Sequence, residues 1–189
     1  YKIKLWAVDR AGNESATQSE HDYWLDSVKP TLDNESPTGA TNNTSPTLSV
    51  RFTDNGGTGY GSVDSWTIDG DNVASIAGPG AGGSGNITGT PPVSLTQGPH
   101  NVSITVLDGA GNTATKLWSF TVDTTAPNPP GNVDAPEWTN DTTPTFTWDV
   151  ATDNVGGSGI ASYMVQVWTT GGGAAKIREY IGITPTSYT

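Results

Sequence analysis

The chain has 189 residues, a formal net charge of −11 and no cysteine. The cysteine count excludes a disulfide framework and thiol chemistry. Because only eight Lys and Arg oppose 19 Asp and Glu, we expect no nucleic-acid binding, which needs clustered basic side chains. No apolar run is long enough to span a bilayer, and we therefore expect no membrane insertion.

Short β-branched and aromatic segments, separated by Gly, Pro, Asn and Thr, predict an all-β chain. The first two strands are expected at residues 1–8 and in the segment through Trp24. The strands that follow are expected at residues 47–52, 63–68, 93–95, 102–106, 117–122, 146–148 and 163–168. A Gly/Ser-rich stretch at residues 78–85 predicts a loop. This spacing suits a Greek-key sandwich.

The sequence also repeats itself, out of phase with its own ends. Residues 106–112 have a counterpart in residues 7–13, and Asp123 precedes Pro127 as Asp26 precedes Pro30. Two further matches pair residues 43–49 with 141–147 and residues 52–59 with 151–159. Internal repetition of this kind decides architecture more strongly than local patterns do. It predicts one complete unit of roughly 100 residues, a usual size for a β-sandwich, between two partial units.

The repeated Asp-x-Ala-Gly-Asn turn, the linker at Val122–Pro127 and the segment Asp153–Ile160 resemble bacterial immunoglobulin-like and fibronectin type III-like repeats of large extracellular surface proteins. The resemblance implies tandem Greek-key sandwiches. Residues 1–28 would be the C-terminal strands of one sandwich, residues 29–126 a complete immunoglobulin-like sandwich, and residues 127–189 the N-terminal strands of a fibronectin-like one.

The same resemblance implies a non-catalytic structural role outside the cell or on its surface, as a stalk, an adhesin shaft or a filament subunit. Such modules are also found beside catalytic domains. An accessory or carbohydrate-binding module of a secreted polysaccharide-degrading enzyme is therefore the alternative. The partners expected are neighbouring copies of the same repeat and, for the alternative, surface glycans.

We expect the partial unit at 127–189 to be completed by an equivalent of residues 1–28 from a neighbouring unit. Two routes lead to this arrangement. The units are either continuous in one polypeptide, or separate chains exchange strands in a head-to-tail contact that builds a filament.

Catalytic residues are not expected. The two histidines, His21 and His100, have no nucleophile motif around them, and both are expected on the surface. The Gly-rich run at residues 78–85 lacks the Lys-Ser/Thr that a phosphate-binding loop requires. We therefore expect no enzyme activity.

Two groups of side chains are candidate Ca²⁺ ligands at the unit junctions, since sandwich loops and the incoming linker meet at one end. The first group is Asp26, Asp54, Asn55 and Asp108; the second is Asp9, Asp123, Asp153 and Asn154. Hard oxygen ligands from separate segments are what Ca²⁺ requires. Turn capping by Asp108 and Asp9 is the other interpretation. The lack of a contiguous ligand loop favours it.

The seven tryptophans raise the possibility of stacking against sugar rings. Six of them fall on or beside expected strands, where a large aromatic side chain is normally core or cross-strand packing: Trp6, Trp24, Trp66, Trp118, Trp148 and Trp168. Trp138 alone lies in a Pro/Asn-rich segment. The pattern thus favours structure over sugar binding.

Overall fold

The computed structural model describes residues 1–169 and 175–188. Within these ranges the chain forms fifteen strands and no helix, and accordingly no helix with the length and apolar character of a membrane span. The all-β prediction is confirmed. The strands are β1 (Lys2–Leu5), β2 (Ser19–Asp22), β3 (Thr31–Ser36), β4 (Gly39–Thr41), β5 (Leu48–Thr53), β6 (Tyr60–Ile68), β7 (Asp71–Asn72), β8 (Ala74–Ala77), β9 (Gly85–Thr90), β10 (Gly98–Asp108), β11 (Thr113–Val122), β12 (Phe146–Thr147), β13 (Tyr163–Trp168), β14 (Lys176–Ile183) and β15 (Ser187–Tyr188).

The strands form five sheets. One has the order β3-β5-β9-β8 and another the order β4-β11-β10-β6-β7; the other three are the two-stranded sheets β1-β2, β12-β15 and β13-β14. The chain divides into two compact units. The first contains residues 1–37, 47–92 and 101–118, and the second contains residues 38–46, 93–100 and 119–189.

The first unit contains the sandwich core. Strand β5 pairs antiparallel with β3 and β9, and β6 pairs antiparallel with β10. The sheet that contains β5 faces the sheet that contains β6. The rings of Phe52 on β5 and Tyr60 on β6 meet edge to face, with their centroids 5.4 Å apart. Alternate residues of β5 and β10 are buried, as period-2 patterning requires. The buried apolar side chains are Leu48, Val50, Phe52, Trp66, Ile68, Val73, Ile87, Val102, Ile104 and Val106.

The second unit begins with β4, which pairs in parallel with the end of β11. Its buried apolar side chains are Phe120, Val122, Trp148, Ala151 and Ile183. His100 is also buried, its Nε2 atom 2.8 Å from the Thr96 carbonyl oxygen, with its ring against Phe120. The prediction that His100 lies at the surface was therefore wrong. Strand β10 starts at Gly98, earlier than expected, and its alternation turns His100 inward.

Two other expectations need correction. Residues 93–95 form no strand. Trp66 and Trp148 are core residues as expected, but Trp6, Trp24 and Trp168 are exposed. Trp6 and Trp24 lie beside the two-stranded sheet β1-β2, and Trp168 lies on the two-stranded sheet β13-β14; the amphipathic pattern is present at all three positions without burial of the indole.

Candidate metal centre

Three aspartates from different segments of the first unit come together beside the sandwich. Asp26 lies before β3, Asp54 directly follows β5, and Asp108 ends β10. Each offers one carboxylate oxygen, and the three oxygens lie within 4.8 Å of one another. In the part of the chain that the structure describes, these are the only three metal-ligating side chains grouped in this way.

Asp26 attaches the segment before β3 to the loop between β5 and β6. Its Oδ2 atom accepts hydrogen bonds from the backbone nitrogen of Thr58 at 2.7 Å and from the Thr58 hydroxyl at 2.9 Å. Its Oδ1 atom accepts one from the backbone nitrogen of Val28 at 2.9 Å. The N–H donors of Val28 and Thr58 stabilise the charged form and hold the pKa of Asp26 below its ordinary value of 3.8.

Asp54 is the central carboxylate and is only 9% exposed. Its Oδ2 atom accepts a hydrogen bond from the backbone nitrogen of Gly59 at 2.7 Å. The loop passes so close that a Cβ atom at Gly57 would lie 2.3 Å from Oδ2 and 2.4 Å from Oδ1. Glycine at position 57 is therefore what allows the carboxylate to occupy this place.

Asp108 is 3% exposed and orders the turn between β10 and β11. Its Oδ1 atom accepts from the backbone nitrogens of Ala110 and Asn112, and its Oδ2 atom accepts from the Asn112 side-chain amide at 2.8 Å. The same amide donates to the Asp26 carbonyl oxygen at 3.2 Å. Asp108 is thus a turn cap and also a member of the carboxylate cluster.

Within the described ranges, one carboxylate oxygen of this cluster has no hydrogen-bond donor. Asp54 Oδ1 is buried and lacks a hydrogen-bond partner among the described residues. A buried carboxylate oxygen without a partner is costly, and the like charges of the neighbouring carboxylates add to that cost. A divalent cation would remove both penalties. Carboxylate oxygens from three segments are a donor set that suits Ca²⁺, which completes six to eight contacts with carbonyls and water.

The second unit contains a closely related arrangement. Asp123 Oδ2 accepts a hydrogen bond from the backbone nitrogen of Ser158 at 2.7 Å, and Asp153 Oδ2 accepts one from the backbone nitrogen of Gly159 at 2.6 Å. The Gln97 amide donates to Asp123 Oδ1 at 2.8 Å. Gln97 and Ser158 lower the pKa of Asp123. Two carboxylates of the second predicted group therefore repeat the geometry of Asp26 and Asp54.

The other residues of the two predicted groups are placed differently. Asn55 is exposed. Asn154 is half-buried, and its Oδ1 atom is buried with no partner among the described residues. Asp9 is exposed in the turn after β1, where it accepts from the backbone nitrogens of Ala11 and Asn13. It does not belong to the three-carboxylate cluster.

Sequence reasoning missed three residues that position the first cluster: Gly57, Thr58 and Asn112. The repetition of the sequence carried a signal for each of them. Asn112 ends the Asp-x-Ala-Gly-Asn turn as Asn13 does, and Thr58 corresponds to Ser158, another hydroxyl residue. Gly57 corresponds to Gly157. A Cβ atom added at Gly157 would also crowd a carboxylate, since it would lie 2.7 Å from Asp153 Oδ2.

The match to a protein-family model agrees with the fold. A family model described as a bacterial Ig-like domain matches residues 25–124, more than half of the chain. No curated protein matches the sequence. Among solved structures, the dimeric latent PorU of Porphyromonas gingivalis is similar, with 18% identity and a TM-score of 0.43 over 80% of this chain; the chain spans only 16% of that protein. With its match over residues 25–124, the chain belongs to the bacterial Ig-like domain family.

Proposed function

We propose that this chain is a non-catalytic structural segment of an extracellular or cell-surface protein, such as a stalk, an adhesin shaft or a filament repeat. In this proposal, Ca²⁺ held by Asp26, Asp54 and Asp108 fixes the linker to the Ig-like domain. The observation that carries it is the three-carboxylate cluster, in which the buried Asp54 Oδ1 atom has no donor among the residues that the structure describes.

A structural role follows from where the three ligands are attached. Asp26 belongs to the linker before β3, whereas Asp54 and Asp108 belong to loops of the sandwich. A cation bound by all three restricts the linker to one direction, because the linker cannot pivot while its carboxylate coordinates the ion. Because the cation binds the folded state, the free energy of unfolding rises with the logarithm of the cation concentration once that concentration exceeds the Kd. Fixed linkers are what an extended shaft of tandem domains needs.

The described residues offer little for catalysis. The chain has no cysteine. His21 lies on the exposed strand β2, and His100 is buried against the Thr96 carbonyl oxygen. Neither observation supports a nucleophile activated by a histidine base. A structural module of an Ig-like family is the simpler account of these residues.

Titration of the 189-residue chain with Ca²⁺ in a calorimeter, together with thermal unfolding, tests the proposal. We expect one site at the first cluster, and unfolding at a temperature higher by several degrees when Ca²⁺ is at about 100 times its Kd. Asp54→Asn should abolish binding at this site. Asp71→Asn, which removes an exposed carboxylate on β7, is the matched control and should bind as the wild type does. Equal binding by both variants would refute the proposed site.

Carbohydrate binding is the second candidate, and one observation favours it. Trp24 and Trp138 are 88% and 89% exposed, and exposed indole faces are suited to stacking on sugar rings. Retention of the chain on insoluble polysaccharide, lost in Trp138→Ala or Trp24→Ala, would support this function. A structural segment should pass through the polysaccharide unretained.

A further inference from the structure

The turn after β1 has the same construction as the turn that carries Asp108. Asp9 Oδ1 accepts from the backbone nitrogens of Ala11 and Asn13, and Asp9 Oδ2 accepts from the Asn13 side-chain amide. Asp108 makes the corresponding three bonds with Ala110 and Asn112. The N-terminal hairpin, residues 1–26, thus carries a carboxylate held as the third member of the first cluster is held.

The hairpin also matches β10 and β11 in its apolar positions. When Asp9 is placed on Asp108, the exposed residues Ile3 and Leu5 fall on Val102 and Ile104, which are buried in the sandwich. The opposite face of the hairpin carries ion pairs between Lys2, Lys4 and Glu20. The face with Lys2 and Lys4 therefore carries ion pairs. The face with Ile3 and Leu5 has the apolar character of a core strand.

An aromatic pair at the base of each hairpin extends the match. His100 and Phe120 have ring centroids 5.8 Å apart. Tyr1 and Tyr23 fall at the corresponding positions, and their rings stack at 5.2 Å. The hairpin thus shares its turn, its apolar positions and its aromatic pair with β10 and β11. These shared features suit it to the position in a sandwich that β10 and β11 occupy in the Ig-like domain.

The second unit contains a place for such a hairpin. Strand β6 has β7 on one edge and β10 on the other, whereas its counterpart β13 pairs only with β14 in the described part of the chain. An apolar groove of about 380 Å³ lies beside β13. The groove is lined chiefly by Val133, Phe146, Trp148, Tyr163, Val165 and Val167. An unpaired strand edge next to an apolar groove is a template for strand addition.

We infer that the N-terminal hairpin of a second copy of this chain docks along β13, fills this groove and brings Asp9 to Asp123 and Asp153. The resulting three carboxylates repeat the Asp26, Asp54 and Asp108 cluster and bind Ca²⁺ at a head-to-tail junction. In the described part of one chain, no third metal-ligating side chain is grouped with Asp123 and Asp153, and the second copy supplies it. This inference deepens the proposed function and rests on it for the identity of the cation.

The first cluster supplies the geometry for a direct test. A Cβ atom at Gly109 would lie 3.1 Å from the Thr58 Cβ. Their counterparts in the docked junction are Arg10 of the hairpin and Ser158 of the second unit. Engineered cysteines at these two positions are therefore expected to lie close to the Cβ separation of about 3.5–4.5 Å that a disulfide requires. The chain has no cysteine of its own to compete.

The experiment mixes two full-length variants, Arg10→Cys and Ser158→Cys, under mild oxidation. We expect a covalent heterodimer on a non-reducing gel. Lys2→Cys mixed with Ser158→Cys is the control, since Lys2 is on the charged face of the hairpin, and it should give at least tenfold less dimer. Adding Leu5→Asp to the Arg10→Cys chain should also prevent cross-linking. Because Leu5 is exposed, this change should leave the folding of the Ig-like domain intact.

Other outcomes would overturn the inference. Equal yields from the test and control mixtures would show that docking does not occur. A double variant with both cysteines in one chain should give a ladder of multimers; a disulfide formed only within the monomer would show that the hairpin belongs to its own chain. Ca²⁺ titration of the first cluster is a separate measurement, so a chain that binds Ca²⁺ there and fails to cross-link contradicts the inference alone.

Discussion

The backbone nitrogen of Thr58 lies 2.7 Å from Asp26 Oδ2, across 32 residues of sequence. The same relationship joins the nitrogen of Ser158 to Asp123 Oδ2, also at 2.7 Å and across 35 residues. In each case a carboxylate is held by a loop that follows it in the chain: the loop between β5 and β6 holds Asp26, and the segment between β12 and β13 holds Asp123. The chain therefore contains two linker attachments of the same design.

Gly57→Ala should weaken Ca²⁺ binding at the first cluster by at least tenfold. An alanine Cβ would lie 2.3 Å from Asp54 Oδ2, so the carboxylate must leave its position. Calorimetric titration measures the effect. Gly80→Ala is the control, because nothing lies within 4 Å of a Cβ there, and it should bind with wild-type affinity. An unchanged Kd in Gly57→Ala would show that the position of Asp54 is irrelevant to binding.

Asp108→Ala should destabilise the Ig-like domain by about 2–4 kcal/mol in the presence of a chelator. The substitution removes the acceptor of three part-buried hydrogen bonds in the β10–β11 turn, and each hydrogen bond to a charged group contributes about 1.5–3 kcal/mol. Unfolding in urea gives the value. Asp9→Ala makes the same change in the exposed hairpin and should leave the unfolding midpoint of the domain where it was. If the two variants unfold alike, the burial of Asp108 has no energetic role.

Leu48→Ala should cost about 2–5 kcal/mol, the range for removing a large aliphatic side chain from a packed core. Leu48 has no exposed surface. Leu117→Ala removes the same atoms from an exposed position and should change the free energy of unfolding by no more than about 0.5 kcal/mol. Urea denaturation compares the two. Similar losses would contradict the placement of the core between the two sheets.

The attachment of the linker should resist mild acid. The pKa of Asp26 is lowered in the folded state by the N–H groups of Val28 and Thr58. A carboxyl group with a depressed folded pKa contributes stability that is complete above its unfolded pKa of about 4 and is lost as the pH falls through the lower folded value. The protection factor of the Thr58 amide, its exchange rate relative to the intrinsic rate at the same pH, should therefore stay constant down to pH 5 and fall only below about pH 4. Asp26→Asn should remove this pH dependence; a protection factor that already falls between pH 7 and pH 5 would contradict it.

Much of the sandwich could be predicted because its strands follow simple alternation. Strand β13 was expected at Tyr163–Trp168 and lies there. His100 is expected on the surface, before the strand at residues 102–106; the structure instead begins β10 at Gly98 and so places His100 within the strand. The exposure of Trp6, Trp24 and Trp168 could not be predicted, since an amphipathic strand pattern does not say which element covers its apolar face.

The carboxylate cluster was partly predictable for a different reason. Sandwich topology brings three segments to one end: the loop after β5, the turn between β10 and β11, and the linker before β3. This arrangement groups Asp54, Asp108 and Asp26. The roles of Gly57 and Thr58 depend on the backbone path of a single loop. That path is set by turn geometry rather than by strand periodicity, so the sequence pattern did not reveal it.

Difference electron density in crystals of the 189-residue chain grown with and without Ca²⁺ tests the central proposal most directly. We expect a peak among Asp26, Asp54 and Asp108, with metal–oxygen distances of about 2.3–2.6 Å and with Asp54 Oδ1 as one ligand. Anomalous scattering would identify the ion. A cluster that stays free of density at saturating Ca²⁺, with a water molecule donating to Asp54 Oδ1, would contradict the proposal.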